Sequence, residues 1–132
     1  MEKNPVTHFE LPAEDRKRCA KFYNEAFGWK TEELGKDMNN YVLCETTESD
    51  KETRPKNPGA INGGIYTKTD DMPAQFPSVV IKVDDIETHM KIIESVGGKV
   101  LGTPWDIPGV GKYVSFIDTE GNRNSMLQPR EM

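Results

Sequence analysis

The chain has 132 residues, of which 35% are hydrophobic, and a net charge of −5, so it is long enough to form one ordinary domain with a core. The acidic balance and the lack of a lysine- or arginine-rich run argue against a nucleic-acid partner. No apolar run approaches the roughly 20 residues that span a bilayer, and the amino terminus, MEKNPVTHFEL, has no signal-peptide core. We therefore expect a cytoplasmic protein with no membrane partner.

The first predicted element is an alternating strand at residues 6–11. Phe9 and Leu11 fall on one side and are expected to pack against a helix. His8 and Glu10 fall on the other side, so they are expected to face whatever the sheet encloses.

The second element is an amphipathic helix at residues 15–27, because apolar residues recur there at helical spacing. Pro12 is expected to end the strand before it, and Gly28 is expected to end the helix. We expect the apolar stripe to lie in the core. The stripe consists of Cys19, Phe22, Tyr23, Ala26 and Phe27.

Three strand patterns follow this helix. A turn is expected at Asn39–Asn40, and the polar segment 45–59 is expected to be a long mobile loop, of a length that often serves as a lid. The paired glycines Gly63 and Gly64 indicate either a β-bulge or a backbone that another group approaches closely. The strands are predicted at Trp29–Leu34, Tyr41–Glu45 and Ala60–Thr67.

The second half of the chain repeats this order after a linker at residues 69–77 that is rich in proline and aspartate. A β-branched strand leads to a helix that is predicted to begin at Asp84, with Glu87 in capping-box spacing. The buried stripe of this helix is expected to contain Ile86, Met90, Ile93 and Val96, and Gly97–Gly98 is expected to end it.

The remaining pattern predicts three strands with a glycine- and proline-rich loop at residues 105–111, which is a second candidate lid. Asp118–Asn122, with the sequence DTEGN, indicates a hairpin turn. The strands of this half are predicted at Ser78–Val83, Lys99–Gly102, Lys112–Ile117 and Asn124–Gln128.

The two halves correspond, because a shift of 70 residues places Asp15 on Asp85 and Gly28 on Gly98. We predict an α+β fold with two βαβββ modules, at about 5–68 and 78–129. One such module cannot bury the open side of its own sheet, so both are expected to form a single domain, 1–132, with a curved mixed sheet around a cleft.

Four segments carry a resemblance to a known family. The chain resembles the vicinal oxygen chelate superfamily, which includes glyoxalase I, bleomycin-resistance proteins and extradiol dioxygenases. The resemblance covers nearly the whole chain, and its motifs are specific to the superfamily and not to one activity. They are HFELPAED at 8–15, FYNEAFGW at 22–29, VDDIETHMKIIESVGGKV at 83–100 and IPGVGKYVSFIDTEGN at 107–122.

The resemblance also implies four inward positions that hold a divalent ion in the metal-dependent members. A catalytic zinc normally has three protein ligands, and a non-haem iron site typically has two histidines and a carboxylate. Only His8 matches, although Glu10 lies nearby on the same strand face. We therefore expect no cofactor, and a divalent metal is the less favoured alternative. The four positions fall on His8, on Gly63 or Gly64, on Ser78 and on Ser125.

Six residues are candidates for ligand binding. His8 either bonds or protonates a ligand or is a leftover cleft histidine bonded to Glu10 or water, and the second reading is slightly favoured. Glu10 indicates a wet, polar cleft or a salt bridge at a rim or subunit interface. The set is His8, Glu10, Ser78, Trp105, Tyr113 and Ser125.

The other four candidates have equally plain alternatives. Ser78 and Ser125 either leave room for an organic ligand or fill space. Trp105 and Tyr113 either clamp a planar ligand or, in the case of Trp105, cover a sheet end.

Three further residues are expected to be structural. His89 is predicted on the surface flank of the second helix. Cys19 and Cys44 are predicted to be reduced core residues, because one lies in a helix pattern and the other in a strand pattern. Nothing near Cys19 in sequence would activate a thiolate.

The favoured function is a metal-independent, glyoxalase-like or bleomycin-resistance-like protein that binds a small organic molecule as a homodimer. No catalytic residue is assigned, and the sequence alone leaves open whether the chain is an enzyme. One alternative is a metal-dependent lyase, isomerase or dioxygenase that uses His8 and Glu10. Another is a non-catalytic interaction or scaffold dimer whose cleft is filled by Tyr66, Trp105 and Leu127.

Overall fold

Two compact units make up the chain in a computed structural model that describes residues 3–130. The first unit is His8–Pro77, and the second comprises residues 78–130 with the segment before His8. Each unit has one α-helix and four strands, so the predicted α+β class with two βαβββ modules is confirmed. That both modules form one domain remains a prediction.

The first unit carries its sheet in the order β2-β3-β4-β1, with β1 parallel to β4 and the other neighbours antiparallel. Pro12 does not end β1 as predicted, because the parallel ladder continues through Pro12 and Ala13 to Tyr66 and Thr67. The elements are β1 Val6–Ala13, α1 Arg16–Phe27, β2 Lys30–Glu33, a short 3-10 helix at Lys36–Met38, β3 Val42–Glu45 and β4 Asn62–Thr67.

The second unit has the order β5-β8-β7-β6, with β5 parallel to β8 and the other neighbours antiparallel. The prediction of a loop at residues 105–111 is wrong for most of these residues, because four of the seven lie in strands. Pairing with β7 resumes at Trp105–Ile107 after an irregularity, so these residues extend the hairpin. The elements are β5 Ser78–Lys82, α2 Ile86–Ser95, β6 Lys99–Ile107, β7 Gly111–Ile117 and β8 Arg123–Pro129.

Both helices begin at an aspartate cap, as the internal correspondence predicts. The carboxylate of Asp15 accepts from the Arg18 N–H, and that of Asp85 accepts from the Glu87 and Thr88 N–H groups. These contacts satisfy amide groups that have no partner within the helix. The prediction that Asp84 begins the second helix is therefore early by one residue.

Each unit has its own hydrophobic core between helix and sheet. In the first unit the buried residues are Ala13, Ala20, Val42, Cys44 and Ile65. In the second unit they are Val83, Ile86, Val114, Phe116 and Met126.

Four residues predicted to be in the core are exposed instead: Ala26, Phe22 at 58%, Phe27 at 65% and Val96 at 67%. On α1 the buried face is narrower than the apolar stripe, and Ala20 is its fully buried member. The rings of Phe22 and Phe27 contact one another and that of Tyr23, while Tyr23 stacks on Trp29 at 4.6 Å between centroids. The aromatic residues therefore form an outer layer on the helix.

The long segment between β3 and β4 has a defined structure built around Asn62. The Asn62 Oδ1 accepts from the Thr46 N–H at 2.9 Å, and its Nδ2 donates to Ser49 Oγ at 2.8 Å and to the Thr53 carbonyl at 2.9 Å. Asn62 is buried, and these bonds use its acceptor and both of its donors. One side chain thus ties the segment to the sheet at three points, and its role as a lid remains a prediction.

Candidate functional site

His8 and Glu10 are joined by a third side chain that sequence reasoning missed, Tyr41. The Tyr41 hydroxyl lies 3.1 Å from His8 Nε2 and donates to Glu10 Oε2 at 3.3 Å. The imidazole and phenol rings face each other with 6.5 Å between their centroids. Two candidate residues on one strand face therefore belong to one hydrogen-bonded group.

The backbone that presents Tyr41 is the turn predicted at Asn39–Asn40. Both asparagines adopt left-handed backbone conformations, with φ of 54° and 53°, which asparagine tolerates better than most residues. The Arg16 guanidinium of α1 donates to the carbonyls of both. The Tyr41 N–H then bonds the Met38 carbonyl at 3.0 Å, so the residue is fixed before β3 begins.

The paired glycines in β4 leave space for rings on its two faces. The pairing of β1 with β4 shows no register shift, so there is no bulge. A Cβ on Gly64 would lie 2.0 Å from the Tyr41 hydroxyl, and one on Gly63 would lie 2.5 Å from the Phe9 ring. Of the two readings predicted for this pair, close approach is the one observed.

The register also decides which glycine shares a face with His8. His8 pairs with Asn62 and Glu10 with Gly64, and side chains of paired residues lie on the same side of a sheet. Gly64 is thus on the face of His8 and Glu10, opposite the helix. Gly63 is on the helix face, beside Phe9.

The imidazole of His8 is shielded from water in large part, since the residue is half-buried. Burial lowers its pKa from 6.5 to about 4, since a charged ring would lose hydration there. His8 is therefore neutral at neutral pH. Glu10 is buried and accepts the hydrogen bond from Tyr41, which helps to offset the cost of removing a carboxyl group from water.

A second polar group lies on the sheet of the second unit. Ser125 is 1% exposed, and its Oγ donates to the Tyr113 hydroxyl at 2.7 Å. Its Oγ is also 2.9 Å from Ser115 Oγ, which accepts from the Arg123 guanidinium at 3.4 Å. A buried chain of hydrogen bonds thus runs across β7 and β8.

Ser78 and Trp105 lie on the same face of that sheet, as the strand register shows. Ser125 pairs with Val80, two residues from Ser78 on β5, and Trp105 pairs with Tyr113. Since alternate residues share a face, four candidate residues are brought to one side of the second unit. Trp105 is 44% exposed.

The described donors do not fit the metal that the superfamily resemblance implies. Within residues 3–130, no three His, Cys, Asp or Glu side chains are grouped to hold an ion. Gly64, Ser78 and Ser125 occupy the other implied positions and are not the His or Glu ligands that the family uses, while His8 directs Nε2 at a phenol.

The residues expected to be structural are placed as such. Cys19 is half-buried, Cys44 is buried, and neither forms a disulfide. Burial raises the pKa of both thiols, to about 11 for Cys44, so neither is an activated thiolate. His89 is half-buried on α2.

Three members of the two polar groups were not predicted: Tyr41, Ser115 and Arg123. Tyr41 alternates with Leu43, which pairs with Gly64, so strand parity could have placed it on the face of His8. Ser115 pairs with Ser125 in β7 and β8, but that register depends on the hairpin turn and cannot be read from composition.

No helix among residues 3–130 is long and apolar enough to cross a membrane.

Known proteins resemble the chain in both sequence and fold. The family model "Bleomycin resistance protein-like N-terminal" matches residues 6–47. A glyoxylase-like domain-containing protein of Didymella fabae is 30% identical over 122 residues, which cover 92% of this chain and 91% of that protein. The anthracycline biosynthesis protein DnrV of Streptomyces peucetius is 27% identical over 125 residues, and the match spans 42% of its length.

Two solved structures share the fold. Methylmalonyl-CoA epimerase from Mycobacterium tuberculosis has a TM-score of 0.66 and 13% identity, with 96% of this chain and 88% of that chain covered. The hypothetical protein BH1468 from Bacillus halodurans has a TM-score of 0.66 and 12% identity, with 99% and 98% covered. Given the Didymella relative and this fold, the chain belongs to the glyoxylase-like proteins of the vicinal oxygen chelate superfamily.

Proposed function

We propose that this protein binds a small organic molecule without a metal ion, on the sheet face of the first unit that carries His8, Glu10 and Tyr41. The observation that carries the proposal is the Tyr41 hydroxyl between His8 Nε2 and Glu10 Oε2. It gives this face a polar group that is held in place by hydrogen bonds, next to the aromatic surface of Tyr41. Such a combination is typical of small-molecule sites.

The donor set supports the metal independence in this proposal. The His8 nitrogen that a metal would use is bonded to a phenol, and the remaining ligand positions hold glycine or serine. One imidazole and one carboxylate that share a tyrosine do not supply the three ligands of a catalytic zinc. On this proposal the polar group serves the organic ligand directly.

The second unit is proposed to offer a further ligand-contacting surface. Ser78, Trp105, Tyr113 and Ser125 share one sheet face, and the hydrogen bonds of Ser125 set the position of the Tyr113 hydroxyl. The exposed Trp105 ring lies on the strand next to Tyr113 and supplies the apolar area that a planar ligand requires.

A thermal-shift screen on chelator-treated protein tests the proposal. Small organic compounds, with anthracyclines included because of the name of the DnrV relative, are compared with Ni²⁺, Zn²⁺, Mn²⁺ and Fe²⁺. A ligand at 100 times its Kd stabilises the folded state by about 2.7 kcal/mol. We expect at least one organic compound to raise Tm and the ions to leave it unchanged.

Two variants test whether the thermal response depends on the polar group of His8 and Glu10. His8→Ala and Glu10→Gln are expected to weaken the organic response, while Glu25→Gln on the exposed surface of α1 leaves it unchanged. A strong rise in Tm with micromolar metal, or a stoichiometric metal in elemental analysis that is lost in His8→Ala, would end the metal-independent reading.

The proposal includes a homodimer in solution, as the family resemblance implies. Exposed aromatic residues such as Phe22 and Phe27 give the chain apolar surface for self-association. Light scattering coupled to size-exclusion chromatography measures the mass directly, and a value near the 14.9 kDa of one chain would contradict this part.

A further inference from the structure

The hydroxyl of Tyr41 has one proton and bonds both His8 and Glu10, and this constrains the form of His8. Tyr41 donates to Glu10 Oε2 at 3.3 Å, so Glu10 is the acceptor in this bond. The same hydroxyl lies 3.1 Å from His8 Nε2. Since its proton is used toward Glu10, Nε2 has to be the donor in the second bond. The order of donation is therefore His8 to Tyr41 to Glu10.

A neutral imidazole with its proton on Nε2 has a lone pair on Nδ1. Burial keeps the ring of His8 neutral, because it lowers the pKa to about 4. Within residues 3–130 the His8 side chain makes one hydrogen bond, the one to Tyr41. The ring is half-buried. Nδ1 is thus the ring atom of His8 that has an acceptor to offer to an incoming molecule.

We propose that Tyr41 determines ligand specificity: by holding His8 in the Nε2–H form it makes Nδ1 an acceptor, so the site takes ligands with an O–H or N–H donor. Phenols, enols and secondary amides belong to this class. Their O-methyl or N-methyl analogues do not, because each leaves Nδ1 facing a group without a proton. A site built to bond a hydroxyl group rejects an analogue that lacks it far more strongly than a hydrophobic pocket does. This inference rests on the proposed function.

Geometry supports a role for Tyr41 beyond packing. Gly64 leaves room for the phenol ring, since a Cβ there would lie 2.0 Å from Tyr41 Cζ. The carbonyls of Asn39 and Asn40 are bonded to Arg16, so the turn before Tyr41 is anchored to α1. The hydroxyl is therefore held in position from two directions, as a group that orients another side chain has to be.

Nitrogen NMR of the ligand-free protein tests the form of His8. Long-range proton–nitrogen correlation spectra distinguish the two neutral forms and the cation. The chain has two histidines, so a His89→Gln variant assigns the signals. At pH 7 we expect His8 as the Nε2–H form. The Nδ1–H form or an imidazolium would overturn the inference.

The Tyr41→Phe variant separates positioning from packing, because it keeps the ring and removes the hydroxyl. We expect His8 to lose its preference for the Nε2–H form while the NMR spectrum of the variant remains that of a folded protein. If His8 keeps the same form in Tyr41→Phe, Tyr41 does not set it. If that variant does not fold, Glu10→Gln is the second test, because its amide NH2 can donate to the Tyr41 hydroxyl, which can then donate to His8 Nε2. We expect a shift toward the Nδ1–H form, and an unchanged Nε2–H form would contradict the inference.

Phenol and anisole then serve as a matched pair of probes. We expect phenol to shift the Nδ1 signal of His8. Anisole is expected to need a concentration at least about tenfold higher for the same shift, because it cannot donate the buried hydrogen bond. An equal response to both, or none to phenol, would overturn the specificity. The form of His8 is measured without ligand. A failure of this inference can therefore be distinguished from a failure of the proposed function, which the thermal-shift screen tests.

Discussion

The phenol ring of Tyr41 occupies the space in which any residue other than glycine at position 64 would place its Cβ. Gly64 pairs with Glu10 on the neighbouring strand, and Tyr41 donates to that same Glu10. A glycine in a sheet interior costs stability, so its place here needs a reason. The reason is that its missing side chain lets an aromatic ring lie on the sheet between two polar groups.

Gly64→Ala is expected to displace Tyr41 and to lower the free energy of unfolding by about 1–3 kcal/mol, the usual cost of an overpacked site. The added Cβ would lie 2.0 Å from Cζ of the Tyr41 ring. Urea denaturation measures the cost. The pH 7 spectrum of His8 is also expected to change, because its partner has moved.

A double-mutant cycle isolates this contact. In a Tyr41→Ala background the alanine at position 64 meets no phenol, so it is expected to cost much less than in the natural chain. Gly35→Ala is the matched control, because its φ is −72° and the nearest contact of a Cβ is with the flexible Asp37 side chain. Equal costs for Gly64→Ala in both backgrounds would contradict the proposed clash.

Asn62→Ala is expected to loosen the segment between β3 and β4. The change removes three hydrogen bonds, to Thr46, Ser49 and the Thr53 carbonyl. A buried site left with unsatisfied partners typically costs about 1–3 kcal/mol. Hydrogen exchange of residues 46–61 is expected to rise more than that of β7 or β8.

Asn57→Ala provides the comparison for Asn62, since Asn57 is exposed and its Nδ2 makes a single hydrogen bond to Thr47 Oγ1 at 3.1 Å. Exposed substitutions of this kind are usually within about 0.5 kcal/mol. If both asparagine variants changed exchange equally, the anchoring role of Asn62 would be wrong.

The stability of the chain is expected to fall as pH drops from about 6.5 to about 4, because of His8. Its folded pKa, about 4, is below the value of 6.5 for a free histidine. In that window the unfolded chain binds a proton that the folded chain does not, so protonation favours unfolding. The loss in free energy of unfolding is at most about 3.4 kcal/mol.

His8→Gln removes this dependence and is the control for it. Asp50 and Asp118 also have lowered pKa values, chiefly from the backbone N–H of Arg54 and from the side chain of Asn122 respectively. Their contribution is present above the free value of 3.8 and is lost below it, so it falls outside the His8 window. The denaturation midpoint is measured at pH 7 and at pH 4.5 for the natural chain and for His8→Gln. If it drops by the same amount in both proteins, the assignment to His8 is wrong.

Local signals in the sequence predicted the fold well, since the helix caps and turns depend on near neighbours. Asp15 and Gly28 bound α1 as expected, and Asp118 forms the predicted turn. The errors have tertiary causes. Helical spacing indicated that Phe22 and Phe27 are apolar, but not how narrow a face of α1 the sheet would cover.

The candidate site was less accessible from sequence, because its bonds join residues far apart in the chain. His8 and Tyr41 are separated by 33 positions, and Glu10 and Tyr41 by 31. Alternation placed His8 and Glu10 on one face correctly. It could not show that a tyrosine from the neighbouring turn would lie between them, since that depends on the room left by Gly64.

Ser125→Ala tests whether that serine only fills space, as one of its two predicted roles has it, or links its neighbours by hydrogen bonds. Its Oγ donates to Tyr113 at 2.7 Å and lies 2.9 Å from Ser115 Oγ. A filler would cost little to replace, whereas removing a buried link deprives each neighbour of one hydrogen bond and costs about 1–3 kcal/mol. We expect the larger value by urea denaturation.

Ser95→Ala is the control, because Ser95 lies at the exposed end of α2, where its hydroxyl donates to the Ile92 carbonyl. This substitution is expected to cost less than about 0.5 kcal/mol. Equal small losses for Ser125 and Ser95 would mean that the hydrogen-bond chain across β7 and β8 adds nothing to stability, and that Tyr113 is oriented by other contacts.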